Sequence, residues 1–153
     1  CKPAICKLSD GNFVVAWEDD KDGNGYHEIY ISGFDSGCSQ YFIQKAASST
    51  SESQEYNPAI ASDEDGYFAV TWQDGADDDY NIMARAFDQS AAQIMAQVRV
   101  NKDTSGPQTA PDVTIGNEGR LVIMWTDDTD GDGYNEILGR GAYDFGFELY
   151  YGD

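Results

Sequence analysis

Two short acidic segments contain the residues with the clearest potential for chemistry in this sequence. The first runs from Asp20 to Glu28 and the second from Asp128 to Glu136. Both follow the pattern D-x-D-G-[DN]-G-x-x-E, with oxygen-bearing side chains at positions 1, 3, 5 and 9 and glycines at positions 4 and 6. Calcium takes six to eight oxygen ligands in proteins, and glycine permits the tight backbone curl that gathers them. The pattern therefore predicts two calcium sites.

Each loop is expected to bind its ion in the same way. Four side chains would contribute oxygen atoms, and the residue at position 7 would contribute its backbone carbonyl. The predicted ligands are Asp20, Asp22, Asn24, Tyr26 and Glu28 in the first loop and Asp128, Asp130, Asp132, Tyr134 and Glu136 in the second. The alternative is a solvated acidic turn, a setting in which Asp, Asn and Gly are common. Two complete copies of the pattern favour calcium.

A third acidic segment lies between these two, but its pattern is incomplete. Trp72 and Ile82 are 10 positions apart, whereas Trp17 and Ile29 are 12 apart. The segment, DGADDDYN, lacks the second glycine and the closing acid. Whether it binds metal stays open, with the candidate ligands Asp74, Asp77 and Asp79.

The acidic segments recur because the whole chain is a threefold repeat. Prolines, glycines and tryptophans each recur with spacings of 55 and then 53 residues: Pro3, Pro58 and Pro111; Gly11, Gly66 and Gly119; Trp17, Trp72 and Trp125. Each unit ends its acidic segment with an isoleucine and then an aromatic-Asp pair. Such a repeat predicts a single domain, 1–153, made of the units 1–55, 56–108 and 109–153.

Each repeat unit has the residue pattern of β-strands. Around each tryptophan, apolar residues occupy both alternating faces, which is typical of a strand covered on both sides. We expect this to be the second strand, after a first strand with proline at its start. The third runs from Glu28 to Phe34, and segments such as 40–46 form the fourth. In the last unit, an extra residue around Gly139-Arg140-Gly141 predicts a β-bulge, and 147–152 begin its fourth strand.

Four short strands in about 50 residues, repeated with a fixed tryptophan, are typical of propeller blades. The fold class expected is all-β, with three repeated four-stranded antiparallel blades. Closed propellers use about four to eight blades, so the predicted propeller is incomplete or is completed by assembly. Open sheet edges pair readily with other chains. We therefore expect a homo-oligomer or filament formed through open sheet edges, or a segment of a longer protein.

The acidic loops resemble the nine-residue calcium loops of FG-GAP repeats in integrin alpha-chain propellers. That family closes its loop with Asp where this chain has Glu28 and Glu136. Its loops also join the first two strands, whereas these follow the tryptophan strand, so the resemblance covers the loops alone. The whole repeat, P-x-[IV]…G-x-[FL]-x-V-x-W-x-D…I-x-x-x-[FY]-D, resembles the repeats of large secreted microbial surface proteins. This second resemblance implies propeller-like blades and an extracellular location.

The composition excludes several classes of partner. With 28 acidic residues, 9 basic residues and a net charge of −19, the chain should repel nucleic acid and anionic membranes. No apolar run approaches the roughly 18 residues of a membrane span. The three cysteines form no CxxC pair, so a zinc site is not expected. They permit one disulfide with a leftover thiol, a link to another chain, or three free thiols: Cys1, Cys6 and Cys38.

No catalytic motif is present, and we predict that the chain is not an enzyme. The tryptophans are expected in the core instead of forming carbohydrate platforms, and Tyr26, Tyr80 and Tyr134 are expected to hold the acidic loops. Arg85 and Arg140 occupy equivalent repeat positions, which favours a structural role. The function expected is an extracellular calcium-binding module of a surface or filamentous assembly. The alternatives are an adhesin or lectin that binds a carbohydrate or cell-surface ligand, and a fragment of a propeller glycosidase.

Overall fold

The computed structural model describes residues 2–49, 52–76 and 79–143. Eleven β-strands and one 3-10 turn make up its regular structure, and these ranges contain no α-helix. The first group of strands is β1 (Ala4–Lys7), β2 (Phe13–Asp19), β3 (Glu28–Phe34) and β4 (Gln40–Ala46). The second is β5 (Glu55–Ser62), β6 (Phe68–Ala76), β7 (Asp79–Phe87) and β8 (Gln93–Arg99). The third is β9 (Gln108–Gly116), β10 (Arg120–Asp127) and β11 (Glu136–Ala142), with the 3-10 turn Asn117–Gly119 before β10.

Each group of strands forms its own antiparallel sheet. Sheet 1 has the order β1-β2-β3-β4, sheet 2 has β5-β6-β7-β8 and sheet 3 has β9-β10-β11, so each is a simple meander. The all-β class and the repeated antiparallel sheets are confirmed. The predicted fourth strand of the last unit, at 147–152, lies outside the described residues, and none of the described sheets closes on itself.

The three sheets stack face to face, with sheet 2 in the middle. One core joins sheets 1 and 2 and includes Phe68, Val70 and Trp72 from β6. A second core joins sheets 2 and 3 and includes Ala69 from the opposite face of the same strand. All four side chains are 0% exposed. This sandwiching is the reason why the central strand is apolar on both faces.

The aspartate of the aromatic-Asp pair shapes the turn that follows the third strand. Asp35 Oδ1 accepts hydrogen bonds from the backbone N–H of Gly37 at 2.9 Å and of Ser39 at 2.8 Å. Asp88 accepts the same pair of bonds, from residues two and four positions later, at 2.9 Å each. Such side-chain-to-backbone bonds fix a tight turn without any help from the rest of the fold.

Proline does not start the first strand in the second and third units, so that prediction is wrong there. β5 and β9 begin three residues before Pro58 and Pro111, and the ladder is irregular beside each proline. The preceding residues, Asn57 and Ala110, have φ angles of 51° and 50°. Their N–H groups donate to side chains of the neighbouring sheet, Glu18 at 2.9 Å and Gln73 at 3.1 Å. A bulge accommodates proline because it interrupts the ladder.

The β-bulge predicted around Gly139-Arg140-Gly141 is also wrong. The register of β10 with β11 runs without interruption from Asp127–Glu136 to Leu121–Ala142. In the other sheets the position of Ala142 is occupied by Phe34 and Phe87, each paired with the first residue of the tryptophan strand. The extra residue of the last unit therefore does not lie within β11.

Two arginines connect adjacent sheets, which confirms their predicted structural role. Arg85 in sheet 2 donates from Nη1 to the carbonyl of Ala47, just after β4, at 2.8 Å. Arg140 in sheet 3 makes the equivalent bond to Val100, just after β8, at 2.6 Å. Ser32 takes this position in sheet 1, where its hydroxyl donates to Phe42 O within the same sheet at 3.3 Å. Each arginine thus ties its sheet to the one before it.

Candidate calcium sites

Both predicted calcium loops lie in the turn between the second and third strands of their sheets. The first joins β2 to β3 and the second joins β10 to β11. Asp19 pairs with Glu28, and Asp127 pairs with Glu136, across the antiparallel ladders. Because these pairs close the turns, the ninth residue of each loop lies next to the strand from which the loop departs. The ladder thereby brings the closing glutamate back toward the first aspartate.

The first loop is curled by hydrogen bonds from its own backbone to its acidic side chains. Asp20 Oδ2 accepts from the N–H of Gly25 at 3.1 Å, and Asp22 Oδ1 accepts from that of Asn24 at 3.1 Å. Asn24 Oδ1 accepts in turn from the N–H of Tyr26 at 2.7 Å. These bonds link position 1 to 6, position 3 to 5 and position 5 to 7, which turns the side chains of positions 1, 3 and 5 toward the inside of the loop.

The last loop repeats this network position by position. Asp128 Oδ1 accepts from the N–H of Gly133 at 3.3 Å, and Asp130 Oδ1 accepts from that of Asp132 at 3.2 Å. Asp132 Oδ1 accepts from the N–H of Tyr134 at 2.8 Å. One ligand-capable oxygen from each of these three aspartates lies within 4.8 Å of the other two. Of the carboxylate, thiol and imidazole groups in the described residues, no other set of three converges in this way.

The glycines of the loops are required by backbone conformation and not by lack of space. Gly23 and Gly25 have φ angles of 73° and 91°, and Gly131 and Gly133 have 69° and 83°. A Cβ atom placed on any of them would meet nothing within 4 Å. Left-handed backbone is costly for other residues. The two loops share this conformation, as the shared sequence pattern predicts.

Glu28 is the most unusual group of the first loop. Its side chain is 4% exposed, yet neither carboxylate oxygen meets a hydrogen-bond donor in suitable geometry among the described residues. The same holds for Asp20 Oδ1 at the start of the loop. Buried polar atoms nearly always have a partner, and an unpaired buried acceptor costs about 1–3 kcal/mol. Unpaired carboxylate oxygens at positions 1 and 9 are what a cation site requires.

The charge around Glu28 disfavours its ionised form. Burial raises the pKa of Glu28 above its usual 4.5, and the negative charges of Asp22 and Asp20 add to that effect. The side chains of Asn24 and Tyr30 act in the opposite direction and lower the pKa of Glu28. Neither side chain reaches a Glu28 carboxylate oxygen in hydrogen-bonding geometry. Burial and the negative charges of Glu28, Asp22 and Asp19 raise the pKa of the Tyr30 hydroxyl. A divalent cation would instead lower the pKa of Glu28, because its positive charge stabilises the ionised form of every carboxylate near it.

The closing glutamates of the two loops lie in different surroundings. Glu28 is 4% exposed, and the following Ile29 is 0% exposed and donates its N–H to Glu55 at the start of sheet 2. Glu136 is exposed, and Ile137 is 62% exposed, because β11 is the last described strand of its sheet. The first loop therefore has the more enclosed set of oxygens, and the last loop has the more tightly converged aspartates.

The first loop is bonded to the first strand of sheet 2 through Gln54 and Glu55, which the sequence analysis did not single out. The Gln54 amide donates to Gly25 O at 3.0 Å and accepts from the N–H of His27 at 3.2 Å. Glu55 is fully buried, and its carboxylate accepts from the N–H of Ile29 at 3.1 Å. The loop thus lies at the junction of two sheets. Only the position of these residues just before the repeated proline pointed to such a role.

The middle acidic segment has a different geometry. The β6–β7 ladder continues through Asp74–Asn81 to Ala76–Asp79, so the paired strands extend to the residues on either side of 77–78. Asp74 lies within β6 and exposed Asp79 begins β7, while Asp77 lies outside the described residues. The described residues of this segment are paired across the ladder instead of curled like those of its two counterparts.

The tryptophans and loop tyrosines follow the predictions in part. Trp72 and Trp125 are buried at 0% and 5% exposure, which confirms their place in the core, while Trp17 is half-buried on the outer face of sheet 1. Tyr26 is 39% exposed and Tyr134 is 74% exposed. Tyr134 therefore does not hold its loop through side-chain packing.

The described thiols are not joined to each other. Cys6 and Cys38 are both free, and Cys1 lies outside the described residues. Burial raises the pKa of the Cys6 thiol to about 11, so this group stays protonated at neutral pH. A disulfide between Cys6 and Cys38 is thereby excluded from the alternatives, whereas pairings of Cys1 stay a prediction.

Comparison with known proteins identifies structures of similar fold but no family to which the chain belongs. No family model matches the chain, and no curated protein matches it. An endo-arabinase from Bacteroides thetaiotaomicron matches with 15% identity and a TM-score of 0.57, over 92% of this chain and 55% of its own. An endo-1,4-beta-xylanase from the same organism matches with 10% identity and a TM-score of 0.51, over 81% of this chain and 47% of its own.

These likenesses support a β-propeller-like, all-β fold, and the chain spans about half the length of the two solved structures. Within the described part of the chain, no helix has the length and apolar character needed to cross a membrane. The resemblances to FG-GAP loops and to secreted surface repeats have no matching family model and stay predictions.

Proposed function

We propose that this chain is a calcium-binding, β-propeller-like module in which bound ions fix the turns at one end of its sheets. The observation that supports it most is the enclosed Glu28 carboxylate, which lies beside Asp20 and Asp22 and makes no hydrogen bond of suitable geometry with the described residues. Asp20, Asp22 and Asn24 provide further oxygens in the same curl. Oxygen-only donors of this number suit calcium, a hard cation with flexible coordination.

The charge of the chain supports a cation as the natural occupant of these loops. A net charge of −19 disfavours the compact state through self-repulsion. Several carboxylates in each loop concentrate that repulsion in a small volume. Bound calcium would offset it locally, and the ligands come from both ends of the turn, so binding would also hold neighbouring strands together.

The proposed role is structural because the first loop lies at a junction between sheets. Gln54 and Glu55 connect its backbone to β5, and the N–H of Gly75 in β6 donates to Gln54 O at 3.0 Å. An ion that rigidifies the loop would therefore also stabilise the packing of sheet 2 on sheet 1. We place this module, as part of the same proposal, in an extracellular surface or filamentous assembly.

The test is the thermal unfolding of the chain with calcium, with magnesium and with a chelator. A ligand present at about 100 times its Kd stabilises the folded state by about 2.7 kcal/mol. For a domain of this size that corresponds to a rise in Tm of about 5–11 °C. Asp22→Ala and Asp130→Ala should each reduce the rise, and the double variant should abolish it. Asp65→Ala, an exposed aspartate in a turn outside both loops, is the matched control.

A calcium-induced rise that survives in the Asp22→Ala, Asp130→Ala double variant would exclude these loops as the sites. An equal rise with magnesium would contradict a calcium-specific cage, since magnesium demands a smaller octahedral set of ligands. A rise that Asp65→Ala also removes would indicate general screening of negative charge instead of site binding.

A second candidate function is a segment of a glycoside hydrolase. It is favoured by one observation, the fold likeness to the endo-arabinase and the endo-1,4-beta-xylanase. Glycoside hydrolysis requires two carboxyl groups on opposite sides of the scissile bond. Incubation of the chain with arabinan and with xylan, followed by measurement of reducing ends, tests this candidate. Release that depends on a buried acid outside the loops, such as Asp63, would support it, and no release would leave the non-enzymatic proposal standing.

A further inference from the structure

Sheet 3 has an apolar outer face that no described residue covers. Val122 and Met124 on β10 are 44% and 46% exposed, and Ile137 on β11 is 62% exposed. We name these three residues the tail face. In the repeat, their counterparts on sheet 1 are Val14, Ala16 and Ile29, all 0% exposed and packed against sheet 2. The counterparts on sheet 2 are likewise 0% exposed: Ala69, Thr71 and Ile82.

Sheet 1 has an outer face of the complementary kind. Ile5 is 66% exposed, and Phe13, Val15 and Trp17 are half-buried; these four residues form the head face. The counterparts of the last three on sheet 2 are the fully buried residues that pack on sheet 1: Phe68, Val70 and Trp72. Their counterparts on sheet 3, which pack on sheet 2, are Leu121, Ile123 and Trp125.

The packing at the two internal junctions therefore shows which kind of surface is complementary to the tail face. At each junction, a face with the Phe/Leu, Val/Ile, Trp series packs on a face with smaller residues and an isoleucine. The tail face corresponds to the second type by position, with Met124 where sheets 1 and 2 have the smaller Ala16 and Thr71, and the head face corresponds to the first type. A second copy of this chain presents such a complementary surface, its head face. Surfaces built from the same repeat positions already pack together twice within one molecule, at the two internal junctions.

We propose that the head face of one copy docks on the tail face of a second copy, sheet against sheet. The contact is heterologous, because it uses a different surface on each partner, so it leads to a closed ring or to a filament. It differs from pairing through open sheet edges, because side chains and not backbone hydrogen bonds form the interface. It goes beyond calcium binding and does not depend on it.

The contact between copies should be weaker than the internal junctions. Ser32 takes the position of the arginine that ties each later sheet to the one before it, and its hydroxyl is bonded within sheet 1. The strong negative charge of both partners also opposes association. We therefore expect assembly at high micromolar concentration that strengthens as salt screens the repulsion.

Sedimentation velocity of the full chain over a range of concentrations, in chelator and in calcium, tests the proposal. Val122→Asp on the tail face and Ile5→Asp on the head face should each weaken association at least about tenfold. Met124→Asp and Val15→Asp provide a second variant for each face, and the near-ultraviolet circular dichroism of every variant checks folding. Ile94→Asp is the matched control, since Ile94 is 38% exposed on the edge strand of sheet 2 and lies on neither face.

Mixing the two kinds of variant gives the decisive result. A head-face variant retains an intact tail, and a tail-face variant retains an intact head, so their mixture should form pairs of twice 16.8 kDa and nothing larger. A contact between two tail faces would persist in Ile5→Asp alone and would not be restored by mixing. A monomer at every concentration, or association equally lost in Ile94→Asp, would overturn the proposal. Since assembly is measured in chelator as well, its failure is separate from failure of the calcium sites.

Discussion

Replacing Glu28 with glutamine should change the stability of the chain in opposite directions with and without calcium. The substitution keeps the size of the side chain and removes its charge. In chelator, the wild-type protein keeps the carboxylate of Glu28, a residue that is 4% exposed, beside Asp20 and Asp22, with no donor in hydrogen-bonding geometry among the described residues. An unpaired buried acceptor costs about 1–3 kcal/mol. Glu28→Gln should therefore leave the free energy of unfolding unchanged or raise it by up to about that amount.

With calcium the order should reverse. At about 100 times Kd, an ion at the first loop contributes about 2.7 kcal/mol to the free energy of unfolding of the wild type. Glutamine provides one neutral oxygen in place of a carboxylate that closes the site, so most of this contribution should be lost. The variant should then be less stable than the wild type by roughly 2 kcal/mol, or about 4–8 °C in Tm.

Urea unfolding followed by tryptophan fluorescence, in chelator and in saturating calcium, measures both differences. Glu136→Gln is the matched control, because Glu136 is exposed and its replacement should have no effect in chelator. If Glu28→Gln lowers the free energy of unfolding equally in both conditions, then Glu28 stabilises the apo fold directly. That result would refute the proposal that the carboxylate oxygens of Glu28 are ligands of a bound cation.

Three further predictions follow from the same contacts. In chelator, the pKa of Glu28 in the folded protein lies above its unfolded value of 4.5. The contribution of Glu28 to stability should therefore grow as pH falls toward 4.5 and be lost as pH rises through the folded pKa. The difference in free energy of unfolding between wild type and Glu28→Gln across this pH range measures that contribution. Trp72→Ala should lower the free energy of unfolding by about 3–5 kcal/mol, and Trp17→Ala, which is half-buried, by less than half as much, as urea unfolding will show. Arg85→Ala should cost about 1.5–3 kcal/mol by the same measurement, because it removes a charged hydrogen bond between sheets 1 and 2.

The sequence was sufficient to predict the local structure of the repeat. The spacing of the tryptophans and the alternating apolar residues around them located the second strand of each unit, and the repeated segments after it were assigned as the third strand at Glu28–Phe34 and the fourth at Gln40–Ala46, as found. These features depend on residues that are near each other in the chain. The curl of the two acidic loops belongs to the same class, because side-chain-to-backbone bonds over two to five residues produce it.

Features that depend on contacts between sheets were predicted poorly. Proline lies inside β5 and β9 and not at their starts, because Glu18 and Gln73 of the preceding sheets bind the N–H groups at each bulge. The roles of Gln54 and Glu55 were missed for the same reason, since they act on a loop nearly 30 residues earlier in the chain. Burial of the closing glutamate was likewise not visible in a pattern that the two loops share.

The direct test of the central claim is isothermal titration of the chain with calcium after complete removal of metal. The account predicts saturable binding of one ion at each of the two curled loops, with the first-loop site lost in Glu28→Gln and the last-loop site lost in Asp130→Ala. Absence of saturable binding at millimolar calcium, or binding that both variants retain, would contradict it.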